Sequence, residues 1–260
     1  KIAIPLIIIC IISVLIVIKL LIKKLKISTR MAYLISIGST VCGTTAIMAT
    51  APVIKADKNE VSYAIANITL FGILSMLLYP YFANLYFDGN SLFAGLFLGT
   101  AIHETSQVAA AGLIYDQQFD SPETLNVATV TKLIRNTFLI VMIPLFAFLY
   151  NRGSVKEKNY SIINIFPFFV LGFIAMIILR NLGDEVFSTY KNDIWIEIID
   201  YIKFFSKIFL TMAMGAIGLS TNLKDIKIMG YKPFIVGFIA MLTVGIMCIL
   251  TIEIYLRLFI

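Results

Sequence analysis

The chain has 260 residues, 60% of them hydrophobic and only 14% charged, with a mean hydropathy of +0.94. That balance excludes a soluble globular domain and indicates an integral membrane protein. The net charge of +6 does not indicate nucleic acid, because the basic residues cluster in short connections between apolar runs and not on one aromatic-studded face.

Apolar runs long enough to cross about 30 Å of hydrocarbon recur along the chain without strand-type alternation, so an all-α, polytopic helical bundle is expected and not a barrel. The first run, 2–22, exceeds a signal-peptide core, lacks a small-residue cleavage site and precedes Lys23, Lys24 and Lys26, so it reads as a transmembrane helix. Further spans are expected at 31–53, 61–86, 91–113, 124–150, 161–180, 203–222 and 231–258. Lys23, Lys24, Lys26 and Arg30 in the first connection, Arg152, Lys156 and Lys158 in the fifth, and Lys224, Lys227 and Lys232 in the seventh place those connections in the cytoplasm. Asp116, Asp120 and Glu123, and then Asp184, Glu185, Asp193, Glu197 and Asp200, fall on the opposite side, with Tyr190, Trp195 and Tyr201 as an interfacial belt. This alternation leaves both ends outside. Cys10, Cys42 and Cys248 lie in apolar stretches without disulfide or metal-ligand spacing.

The second span gathers Gly38, Ser39, Thr40, Cys42, Gly43, Thr44 and Thr45 before Pro52, where a simple anchor would be rich in leucine. Such clusters let a membrane helix unwind around a ligand, or let two helices pack closely. In the third span, Asn67 could bond to this break or cap a packing contact.

The fourth span holds the only histidine, His103, beside Glu104. Ionisable groups at this depth cost about 2.5 kcal/mol or more on insertion scales and mark function. Read as continuous helix, this span places His103 and Gln107 on one face, with Glu104 about 100° around. Lys132 and Arg135 share a face of the fifth span, roughly 12–16 Å in from Thr124 at about 1.5 Å per residue. A polar packing network, with Glu104 paired to Lys132 or Arg135, is one reading. In the other, the two bases neutralise an anionic substrate and His103 and Glu104 carry protons.

The seventh span repeats the small-residue pattern through Met214, Gly215, Gly218, Ser220, Thr221 and Asn222. Two interruptions five spans apart predict inverted units of five with two crossed discontinuous helices. On that count, 1–86 is the end of a first unit and 91–260 a complete second one. The chain opens on Lys1, so earlier spans are expected to be missing. In the last span, Glu253 and Arg257 are expected to form a local pair.

An enzyme is not expected. His103-Glu104 starts a zinc-protease-like pattern, but position 107 is Gln, so the second metal ligand is absent. No metal or cofactor is expected.

The motifs resemble the YeiH-type family of bacterial inner-membrane proteins, labelled sulfate exporters. The resemblance rests on Cys42-Gly43-Thr44-Thr45-Ala46-Ile47, Ala51-Pro52-Val53-Ile54, Ala64-Ile65-Ala66 through Leu70-Phe71-Gly72, Tyr79-Pro80 and Ile102-His103-Glu104-Thr105-Ser106-Gln107-Val108. It continues through Thr129-Val130-Thr131-Lys132-Leu133-Ile134-Arg135, Gly218-Leu219-Ser220-Thr221-Asn222-Leu223 and Gly230-Tyr231-Lys232-Pro233. Thr44-Thr45 stands where the family has Asn-Ser, and Glu104 where Asp commonly follows the histidine. The resemblance implies ten or eleven spans, sulfate or a sulfonate as exported substrate, and a fold similar to sodium/proton antiporters and bile-acid symporters.

A secondary carrier for a small anion, coupled to H+ or Na+, is therefore expected in the bacterial inner membrane. Cys42, Gly43, Thr44, Thr45, Gln107, Lys132, Arg135, Gly218, Ser220, Thr221 and Asn222 would bind substrate, and His103 and Glu104 would carry protons. A non-transporting scaffold or sensor partner is the alternative, and a channel a third. The assembly is left open, with a homodimer among the options.

Overall fold

The computed structural model describes residues 2–121, 123–151, 168–188, 193–220 and 230–259, and among these there is no strand. They fall into two units, Lys1–Ile165 with Asn222–Ile260, and Phe166–Thr221.

The larger unit contains α1 (Ala3–Leu25), α2 (Thr29–Thr40), α3 (Thr44–Thr50), α4 (Lys58–Tyr86), α5 (Ser91–Ala101), α6 (Thr105–Gln118), α7 (Thr124–Thr137) and α8 (Leu139–Asn151). Lys232–Phe259 also belongs to it and is α11 here; the smaller unit holds α9 (Phe168–Ser188) and α10 (Asp193–Ser220). Among the described residues, α1, α4, the α7–α8 pair and α11 are long and apolar enough to cross a membrane. The α7–α8 pair is jointed at Phe138, whose N–H turns back to the Arg135 carbonyl at 3.2 Å.

Side-chain ties give the helix directions. Tyr63 donates to the Gly230 carbonyl at 2.8 Å, Asn67 to Pro233 at 2.8 Å and Tyr79 to Met241 at 3.2 Å, so α4 and α11 run side by side in one direction. Asn67 thus serves a packing contact. At the far end, Tyr86 donates to Glu253 at 3.0 Å, and Glu253 forms the expected local pair with Arg257 at 2.6 Å. α1 runs the other way, with Lys26 beside the start of α11 and Ile2 and Leu6 beside its end.

The runs 31–53 and 91–113, expected to cross, are re-entrant hairpins instead. In the first, the chain enters along α2, reverses at 41–43 and returns. A Cβ on Gly38 would lie 2.9 Å from Ile47 Cδ1, a contact between residues that a straight helix would hold about 13 Å apart. Both ends then meet on one side: Ser28 Oγ donates to Glu60 at 2.7 Å, and Arg30 pairs with Asp57 at 3.6 Å. The reversal needs a glycine, because Gly43 sits at φ 61°, ψ −123°.

The second hairpin enters from the other end of α4. Asn90 caps α5 and Tyr115 near the end of α6 donates to Asn84 at 3.3 Å, so the α5 start and the α6 end lie together. Glycines bring both arms onto α7: a Cβ on Gly99 would overlap the Ala128 carbonyl, and one on Gly112 would lie 2.7 Å from Leu125 Cα. Apolar run length cannot distinguish a crossing from a reversal, which is why both segments read as spans. Two non-crossing segments also leave the side assigned to every later connection unchanged.

In the smaller unit, Trp195 near the start of α10 meets the end of α9, stacking on Phe187 at 5.2 Å and donating to Asp184 at 2.8 Å. α10 is helical through Gly218 to Ser220, so the interruption expected from Met214 onward is not found there; Thr221 and Asn222 lie outside the described residues. The observed second interruption belongs to the fourth span, whereas the five-span units were counted from the seventh.

Candidate functional site

The two hairpin tips, Val41–Gly43 and Ile102–Glu104, meet near the middle of α4, where Gln107 Nε2 donates to the Thr69 carbonyl at 3.2 Å and packs against Gly72. Each reversal leaves carbonyls at the end of its entering helix without their usual i+4 partners, a severe cost where water is excluded. Lys132 and Arg135 supply the missing donors. Both point from α7 into the tips and are 0% and 1% exposed.

Lys132 Nζ donates to Val41 at 2.9 Å, to Ile102 at 2.9 Å and to His103. Arg135 donates through Nε to Thr40 at 2.9 Å, through Nη1 to Thr100 and to Ile102 at 3.2 Å, and through Nη2 to Ser39. Three carbonyl acceptors use all three protons of an ammonium group; a neutral amine has only two to donate. Hydrogen bonds to charged groups contribute about 1.5–3 kcal/mol each, so this double cap is a major reason the tips hold their shape. It also satisfies the negative ends of the α2 and α5 dipoles.

Glu104 joins the tips. Its carboxylate accepts from the Thr44 N–H and from Thr44 Oγ1 at 2.5 Å. A Cβ on Gly43 would overlap that carboxylate, so the glycine both turns the chain and clears room for the acid. Among the described residues Glu104 pairs with neither base. The chain at 102–104 is extended and not helical, with Ile102 at φ −86°, ψ 141° and Glu104 at φ −100°, ψ 141°. His103 and Gln107 therefore do not share the helical face expected of them: His103 belongs to the tip and Gln107 to the first turn of α6.

Several buried polar atoms around the tips have no protein partner: both ring nitrogens of His103, Gln107 Oε1, and the hydroxyls of Ser39, Thr69 and Thr100. Buried polar atoms are almost always paired, with water and ligands counted among the partners, so these atoms are candidates for such a partner. Asn136 donates to Thr105 Oγ1 at 3.2 Å, while its own carbonyl oxygen is unpaired.

Of the expected substrate residues, the structure brings Cys42, Gly43, Thr44, Gln107, Lys132 and Arg135 together with His103 and Glu104. Thr45 follows in the first turn of α3. Gly218 and Ser220 lie in the other unit. Sequence reasoning placed Ser39 in the second-span cluster without naming it among the substrate residues, and missed Thr69, Thr100 and Asn136; the available signal was hydroxyl and amide residues at the depth of His103.

The family model described as conserved hypothetical protein 698 matches residues 1–237. A UPF0324 membrane protein of Fusobacterium nucleatum subsp. nucleatum is 37% identical over 260 residues, covering 95% of this chain and 75% of that protein. Another, of Streptococcus agalactiae serotype V, is 37% identical over 236 residues, covering 90% and 68%. A third, of Clostridium tetani, is 31% identical over 242 residues, covering 88% and 66%. No solved structure matches the chain.

Proposed function

The chain belongs to the conserved hypothetical protein 698 family, the UPF0324 or YeiH-type multi-pass membrane proteins, and from that premise we propose that it is a secondary carrier for a small anion. The meeting of two re-entrant tips, entering from opposite ends of α4, supports this reading most directly. Irregular backbone at membrane depth is tolerated where it is buried in protein or lines a cavity, and paired interruptions of opposite orientation are a recurring design of secondary transporters. The inverted relation of the two hairpins is the part of the antiporter-like resemblance that this reading keeps.

Charge favours an anion. The two entering helices end, and the two returning helices begin, at the same place, so their dipole ends nearly cancel. Lys132, Arg135 and Glu104 then leave one formal positive charge. The unpaired hydroxyls of Ser39, Thr69 and Thr100 and the imidazole of His103 suit an oxyanion such as sulfate or a sulfonate, exported in exchange for H+ or Na+. Glu104 now holds Thr44 as an internal anion would, in the place that the substrate's own oxygens take in the proposed cycle. The bases act through the carbonyls they cap, fixing the tips and their positive field, and do not grasp the substrate themselves.

The saturation of Lys132 by carbonyls is what favours the second reading, a non-transporting scaffold. Its polar network would be closed, whereas this one leaves both ring nitrogens of His103 unpaired. Thermal shift of the purified chain with a panel of sulfate, organic sulfonates and carboxylates at pH 5.5 and 7.5 tests the proposal. Selective stabilisation by one anion, lost in Thr44→Val and His103→Ala, is expected. A folded protein indifferent to every anion overturns it.

A further inference from the structure

We propose that Lys132 is a tethered stand-in for a sodium ion at the crossing of the two tips, and that the carrier therefore runs on protons and is independent of sodium. This rests on the carrier reading above and chooses between its two coupling ions. In broken-helix transporters, the carbonyls exposed by unwinding are the groups that hold a sodium ion. Sodium at such a place needs several oxygens converging on one point.

Here the corresponding oxygens are already committed. The Lys132 ammonium is held by Val41, Ile102 and His103, carbonyls drawn from both tips. The Arg135 guanidinium takes Ser39, Thr40, Thr100 and a second contact with Ile102. The ammonium nitrogen thus sits where a small monovalent cation would bridge the hairpins, with the same charge and the same ligands, and its four-carbon stem prevents it from being released. Among the described residues, the tip carbonyls that converge on one point are already taken, which leaves a transported cation no cage there.

The charged and titratable groups at this point are Lys132 and Arg135 from α7, Glu104 and His103 from the second tip and Cys42 from the first, with Cys10 of α1 and Cys248 of α11 near Arg135. Glu104 is the carboxylate among them, tied across the tips to Thr44, and takes the coupling proton in this proposal. Lys132 is a positioning residue: it holds the two tips in register and leaves the mobile charge to the acid.

The test compares melting of the purified full chain in sodium chloride and in choline chloride at equal ionic strength, for the natural protein and for Lys132→Ala. The natural protein is expected to melt at the same temperature in both salts. Lys132→Ala is expected to gain a preference, melting about 3 °C or more higher with sodium, potassium or methylammonium than with choline. Where Lys132→Ala fails to fold, Lys132→Gln, which keeps two N–H donors without the charge, takes the same comparison. Selective stabilisation of the natural protein by sodium overturns the proposal, and so does a folded Lys132 variant that treats all these cations alike. The readout needs no substrate, so a negative anion panel leaves it standing, and a sodium effect on the natural protein would leave the anion reading intact.

Discussion

Gly43 meets two demands that no other residue satisfies. Its backbone lies at φ 61°, ψ −123°, and its missing side chain makes room for the Glu104 carboxylate. Gly43→Ala is expected to cost about 1–3 kcal/mol in strain alone and more through loss of the Thr44–Glu104 contact, read as a lowered melting temperature and lost anion stabilisation. Glu104→Gln keeps the shape and removes the charge. Its anion stabilisation is expected to differ from that of the natural protein, because the two Thr44 donors no longer meet a carboxylate, and an unchanged thermal shift would remove Glu104 from the site. Lys132 and Arg135 were legible as buried bases, but their role was not. Bases at that depth need acceptors, an intact helix offers no free carbonyls, and that mismatch was the available sign of a second break near His103.

At the scale of elements, the apolar runs gave the long helices, and the small-residue cluster at Gly38–Thr45 gave the first tip. The second tip escaped notice because Ile102, His103 and Glu104 include neither glycine nor proline; donors from another helix hold it open, which no local pattern records. The glycines at 95, 99 and 112 set how closely the second hairpin grips α7. Gly99→Val would drive a side chain into the Ala128 carbonyl and Thr131; overpacking of this kind costs about 1–3 kcal/mol, measurable as a lower melting temperature. The α9–α10 pair gives a separate check through Trp195, the one tryptophan in the chain. The indole N–H, then Arg180, hold the Asp184 carboxyl below its usual range. A depressed carboxylate contributes stability above its unfolded value of about 3.9 and loses it as pH falls through the folded one. Trp195 fluorescence should therefore stay constant down through that usual value and change only below it. A transition centred at or above the usual value would contradict the contact.

For the whole molecule, the re-entrant hairpins decide the topology. Lys26, Lys55, Lys58 and Lys232 then belong to one face of the membrane, and Asp88, Asp116 and Asp120 to the other, which places every basic cluster of the larger unit's described residues on the side that positive charges favour. Straight crossings at 31–53 and 91–113 would instead put Lys55 opposite Lys26 and leave no tips to meet. Single cysteines at positions 26, 55, 88 and 120, in a background with Cys10, Cys42 and Cys248 replaced by alanine, should be labelled by a membrane-impermeant maleimide. Positions 26 and 55 are expected to react from one face and 88 and 120 from the other. Labelling of position 55 from the face opposite position 26 would contradict the re-entrant fold and the site built upon it.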